Sequence, residues 1–99
     1  MKATVVFKAL LERREGESAN GPWVRQPIVT KTMGENPKDV VFTFNGDKIS
    51  ETLQALRPGE VLEVHFEPES REYTKGDGTK AWVTDLRAWG VQRYARMEG

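Results

Sequence analysis

One helical segment stands among stretches that otherwise read as strands, and its place in that order limits the fold. It opens at Gly46-Asp47-Lys48, carries Ile49, Leu53 and Leu56 at i, i+4 and i+7, and stops at Arg57-Pro58-Gly59. That spacing gives one narrow apolar stripe, and proline cannot continue the turn. Asp47 is the expected N-cap, with Glu51 early enough to favour the helix dipole. A helix this short cannot form a layer, but it can plug the open end of a small barrel.

Three strand-like segments precede the helix. Residues 4–11 are rich in β-branched and apolar side chains. The polar run 12–22, with Gly16, Ser18, Asn20, Gly21 and Pro22, is the longest loop signal in the chain. The second strand runs from about 23 to 33 and contains Pro27, which cannot donate to a ladder, so a bulge or open edge is expected there. In residues 39–45 the alternation places Val40, Phe42 and Phe44 on a core face. After the helix, residues 60–73 turn Val64 and Phe66 one way and Glu63 and His65 the other. The last strand covers about 81–92, joined by a hairpin at 74–80 whose Asp77-Gly78 suits the positive φ angles of a tight turn. The order β-β-β-α-β-β predicts an all-β fold with one short helix, a five-stranded OB-fold barrel. A β-grasp would carry a longer helix after its second strand, and an SH3-like barrel would lack one here. Residues 1–95 are expected to form a single domain, with 96–99 as a frayed tail.

The chain has no cysteine, which removes disulfides, thiolate nucleophiles and thiolate zinc sites and fits a reducing cytoplasm. No stretch approaches the roughly 20 apolar residues of a membrane span. The run between Lys2 and Lys8 is shorter than the apolar region of about 7–15 residues in a secretory leader. A cytoplasmic location with no membrane partner is therefore expected. Fifteen basic and fifteen acidic residues balance, which argues against a dedicated polyanion binder. The distribution is uneven, with six basic and three acidic residues in 1–33, three and eight in 34–70, and six and four in 71–99. Folding can bring the two basic ends together.

The motifs of hydrolytic, phosphate-loop and zinc chemistry are missing: no supported Ser-His-Asp arrangement, no glycine-rich loop opening a helix, no HExxH. His65, the only histidine, alternates away from Val64 and Phe66 and reads as a surface residue. Gly76-Asp77-Gly78 lacks the further ligands of a calcium loop and reads as a turn. The chain is read as a non-catalytic binding module with no cofactor and no metal.

Four stretches also carry a family resemblance. The runs Phe42-Thr43-Phe44-Asn45-Gly46-Asp47-Lys48-Ile49 and Arg57-Pro58-Gly59-Glu60-Val61, with Glu69-Ser70-Arg71-Glu72-Tyr73 and Trp82-Val83-Thr84-Asp85-Leu86-Arg87-Ala88-Trp89, resemble a bacterial family of unknown function. Its members are small OB-type domains, and the likeness spans about residues 2–93. More distantly the chain is similar to bacterial single-stranded-DNA-binding protein. The resemblance implies that Arg71-Glu72-Tyr73-Thr74 sits where those proteins carry Arg-x-Trp-Thr, so that Tyr73 takes the place of a base-stacking tryptophan. Asn45 departs from the family, in which that position is often aromatic, and removes one candidate stacking platform.

Single-strand binding needs aromatic faces for bases and cations for phosphates on one open surface. Candidates are Trp23, Arg25, Arg71, Tyr73, Lys75, Lys80, Trp82, Arg87 and Trp89. They are expected on the barrel face bounded by the strands at 23–33, 39–45 and 81–92 and by the two long loops. Each has a plainer reading. Trp23 can lid the barrel, Arg25 can be a solvated charge, and Arg71 can pair with Asp85 or a nearby glutamate. Trp82 and Trp89 lie on opposite faces of their strand, and at least one of the pair is expected in the core, because a buried aromatic covers about 150–250 Å². Arg13 and Arg14 read as solvated charges offset by Glu12, Glu15 and Glu17. The alternative to single-stranded nucleic acid is a protein partner or a second copy, favoured by the acidic middle and by edge pairing at Pro27 or along residues 60–73.

Overall fold

A computed structural model describes the backbone of residues 1–96 and the side chains of residues 1–94. The elements are β1 (Lys2–Leu10), β2 (Arg14–Ser18), β3 (Gly21–Thr32), β4 (Asp39–Asn45), α1 (Asp47–Gln54), β5 (Glu60–Thr74) and β6 (Lys80–Arg96). Arg96 thus still belongs to β6, and residues 97–99 of the expected frayed tail lie outside the described residues.

The strands run β1-β5-β6-β4-β3-β2, and a further β1–β3 pairing closes five of them into a ring. The five-stranded barrel of the OB type is present, and β2 rides on β3 as a sixth strand. Phe42 and Phe44 of β4, Ile28 of β3, Leu62 and Val64 of β5, and Val5 and Phe7 of β1 fill the interior. Each strand alternates because every second side chain points inward. At one junction β4 and β6 run parallel over only Thr43↔Arg87 and Phe44↔Ala88.

The helix plugs the barrel as its apolar stripe requires: Leu53 is fully buried, Leu56 nearly so, and Ile49 packs against the same core. Its start differs from the expected cap. Gly46 is the N-cap, at φ 116° and ψ 147°, and no side chain caps the helix. A non-glycine residue is strained at that φ, so the sharp corner out of β4 selects glycine. Asp47 is instead the first helical residue, and its carboxylate accepts a hydrogen bond from Arg13 Nη2 at 2.9 Å. Beyond the helix Glu60 ties the corner to β6. Its Oε1 accepts from Arg93 Nε at 2.8 Å, and its Oε2 accepts from the Arg57 amide.

Three expectations need correction. The polar run 12–22 is not a loop, because Arg14–Ser18 pair with Gly21–Arg25 as a ribbon. Polar residues suit a ribbon wetted on both faces, and β3 supplies its ladder partner. Pro27 opens the ladder but leaves no free edge: β3 is flanked by β4 on one side and by β1, then β2, on the other. The missing donor is replaced from within the strand. Leu11 N donates to Pro27 O at 3.0 Å, so Leu11 O faces a proline nitrogen that has no hydrogen. The buried Gln26 side chain fills in, with Nε2 donating to Leu11 O at 2.9 Å and to Pro27 O at 2.8 Å. The β5–β6 turn, finally, spans five residues. Gly78 alone takes a positive φ there, 88°, while Asp77 does not. Asp77 Oδ1 instead accepts from Thr79 N at 2.9 Å and from Thr79 Oγ1 at 2.6 Å.

Candidate nucleic-acid interface

Two ribbons stand out from the barrel, β2–β3 and the distal halves of β5 and β6, and an open groove lies between them. Three adjoining hollows make up the groove, and Asn45 and Arg87 line all three. Pro27, Thr43 and Asn45 form the floor on the outward face of β3 and β4.

The first wall is set by cross-strand register. Arg14 lies opposite Arg25, and Gly16 opposite Trp23, so these four share one face of the ribbon. Trp23 lies against Gly16: a Cβ there would come within 2.8 Å of Trp23 Cζ2. Only glycine leaves room for the indole in that position. The Arg25 guanidinium carbon sits 5.8 Å from the centroid of the same ring, within cation–π range. Neither Arg14 nor Arg25 has a carboxylate partner among the described residues. Like charges directly opposite one another on neighbouring strands are destabilising, and this pair makes that part of the wall an electropositive spot.

The second wall comes from the long hairpin, whose register is regular from Phe66↔Ala88 to Thr74↔Lys80. Glu69, Arg71, Tyr73, Val83, Asp85 and Arg87 therefore share the face toward the groove. Arg87 Nη1 donates to Glu69 Oε2 at 2.9 Å, and Arg71 Nε lies 3.8 Å from Asp85 Oδ2. Pairs this exposed contribute about 1 kcal/mol or less, so a ligand can displace them.

Trp89 occupies the step where the register jumps from His65↔Gly90 to Phe66↔Ala88, which leaves it without a cross-strand partner. Such a bulge re-aims a side chain. Trp89 lines the groove beside Arg87 and its ring centroid lies 5.0 Å from that of His65. His65 Nε2 is in turn 3.3 Å from Glu63 Oε2. A second jump, between Val61↔Ala95 and Leu62↔Arg93, falls at Tyr94, whose hydroxyl is pushed above its ordinary pKa by desolvation first and then by Glu63.

The structure thus gathers Trp23, Arg25, Arg71, Arg87 and Trp89 around one groove. Tyr73 shares the hairpin face of Arg71 but lies beyond the groove, toward the tip. Lys75 is exposed in the turn. Trp82 and Lys80 stand on the opposite face of the hairpin, with Lys80 Nζ 3.4 Å from Glu72. The expectation of a core tryptophan is overturned: exposures are 41% for Trp23, 69% for Trp82 and 67% for Trp89. Four phenylalanines fill the barrel, the hairpin carries Trp82 past it, and the bulge turns Trp89 out. Trp23 is not a lid but a plate on the β2–β3 ribbon, and Arg71 has its expected pairing with Asp85. Sequence reasoning missed Arg14, Thr43 and Asn45 as groove residues. The alternation of Arg14 and Gly16 was the available signal for Arg14, but it acquires meaning only once residues 14–18 are known to be a strand.

Comparisons with known proteins agree with this architecture. The family model for a domain of unknown function, DUF3127, matches residues 3–92. No curated protein matches the chain. Among solved structures, the fold is similar to that of the mitochondrial single-stranded DNA binding protein Rim1 from S. cerevisiae. That likeness has a TM-score of 0.61 at 18% identity and covers 98% of this chain and 97% of that one. The small single-stranded DNA-binding protein from Streptomyces coelicolor is similar with a TM-score of 0.55 at 16% identity, covering 95% and 92%. At such identities the likeness is one of fold.

Proposed function

The chain belongs to the DUF3127 family of domains of unknown function, and from that premise and its own surface we propose that the groove binds single-stranded nucleic acid, DNA in the first instance, without catalysis. One observation carries the reading: Trp23 shares a wall of an open groove with Arg14 and Arg25, two cations that meet no carboxylate among the described residues. Bases stack on Trp23 and Trp89, phosphates meet Arg14 and Arg25, and Arg71 and Arg87 line the far side. Stacking is tolerant of sequence because every base has a π-face, so base preference is weak. Few phosphates are engaged, so the salt dependence is shallow. The similar solved structures, both named as single-stranded DNA-binding proteins, support the choice of ligand. Titrating oligo-dT into the protein at low salt quenches tryptophan fluorescence on this reading. An unchanged spectrum at millimolar nucleotide, with the barrel folded, refutes it.

A second reading is favoured by one feature, the outer edge of β5. Beyond Phe66, whose amide donates to Met1 O at 2.8 Å, this strand has no neighbour on the β1 side among the described residues. An unpaired edge is a template for another strand, either of a protein partner or of a second copy. A sedimentation coefficient that stays at the monomer's value at every concentration excludes the second copy.

A further inference from the structure

The arginines of the groove are not equally available. Arg14 and Arg25 meet no carboxylate among the described residues, whereas Arg87 is hydrogen-bonded to Glu69 and Arg71 lies beside Asp85. Glu69 and Asp85 are themselves directly opposite in the β5–β6 ladder. Two carboxylates so placed repel unless each finds a cation, and the arginines on the diagonal supply one each. A carboxylate on a guanidinium occupies the same planar fork of donors that a phosphate uses.

We infer that Glu69 and Asp85 are specificity-determining residues that hold the two arginines of the hairpin wall, Arg71 and Arg87, against phosphate, so that a ligand must also stack bases to bind. The inference rests on the reading of the groove as a single-strand site and says how that site rejects other polyanions. A single strand offers base faces together with phosphates. A duplex keeps its base faces stacked inside and offers mainly phosphate, for which two free arginines give little hold. Counting Arg14 and Arg25 alone, two phosphate contacts on a single strand give a slope of log K against log salt of about −1.4. Affinity then falls about sevenfold between about 50 and about 200 mM salt. With Arg71 and Arg87 released as well, four contacts give a slope of about −2.8 and a loss of about fiftyfold.

The test compares the wild-type chain with the double variant Glu69→Gln, Asp85→Asn, using labelled oligo-dT and a duplex of equal length in fluorescence anisotropy. Both side chains are about half exposed, so the amides leave the fold intact, which circular dichroism checks. The expected result is tighter duplex binding by the variant, a salt slope about twice that of wild type, and a smaller preference for oligo-dT over duplex. Unchanged duplex affinity and slope, with wild-type binding of oligo-dT intact, overturn the inference while leaving the single-strand reading standing. Loss of oligo-dT binding by wild type and variant alike at low salt overturns both.

Discussion

Replacing Gln26 with methionine isolates the device that lets a proline sit inside β3. The register Ile28↔Leu10 makes Leu11 and Pro27 the next opposed pair, and Leu11 N already donates to Pro27 O. In an antiparallel ladder such a pair exchanges two hydrogen bonds, and here the second donor does not exist. Gln26 Nε2 stands in for it and also reaches Pro27 O. Gln26 is only 1% exposed, so no water replaces the amide when it is removed. Methionine keeps the volume and removes two hydrogen bonds. At about 1 kcal/mol each the loss is about 2 kcal/mol, a fall in Tm of about 8–16 °C for a domain of this size. Pro27→Val then supplies a backbone N–H aimed at Leu11 O. In that background Gln26→Met loses about 1 kcal/mol less, because the ladder bond now forms without the side chain. Urea unfolding of the four chains of this double-mutant cycle measures the coupling. Equal costs of Gln26→Met with and without Pro27 refute the substitution of donor by side chain.

Other perturbations separate plug, platform and turn. Leu53→Ala removes the buried tip of the helical plug and costs about 2–5 kcal/mol by urea unfolding, far more than a substitution on the exposed side of α1. Trp23→Ala weakens oligo-dT binding by about 1–3 kcal/mol, about 5- to 150-fold in Kd, whereas Trp82→Ala on the opposite face leaves it unchanged in the same fluorescence titration. The Thr79 hydroxyl, followed by the Thr79 amide, holds the Asp77 carboxyl below the ordinary carboxylate range. A depressed native pKa contributes stability above the unfolded-state pKa and loses it as pH falls through the native one. Thr79→Val therefore raises the Asp77 pKa in an NMR titration and flattens the acid limb of the stability profile.

Much of the barrel was legible in the chain because its rules are local. Period two in residues 39–45 placed Phe42 and Phe44 inside, the Ile49, Leu53 and Leu56 stripe announced the plug, and the order of segments selected the closed topology. Those signals need only a strand's alternation and a helix's pitch. The groove was legible in part. Parity along the last strand put Trp82 and Trp89 on opposite faces, but it cannot locate a bulge, which depends on how two strands curve around a barrel. The assignment of a core tryptophan failed for that reason. Arg14 failed for another: residues 12–22 have loop composition, and they become a ribbon only because β3 extends beyond the barrel and offers them a partner.

By itself, then, the order and spacing of apolar residues determined a small plugged cylinder, since burying each stripe leaves few other arrangements. Tertiary structure alone decided the surface. Which cations meet carboxylates, which indole lies flat on a glycine, and which stands free are settled by cross-strand register, and register joins residues far apart in the chain that no local pattern connects.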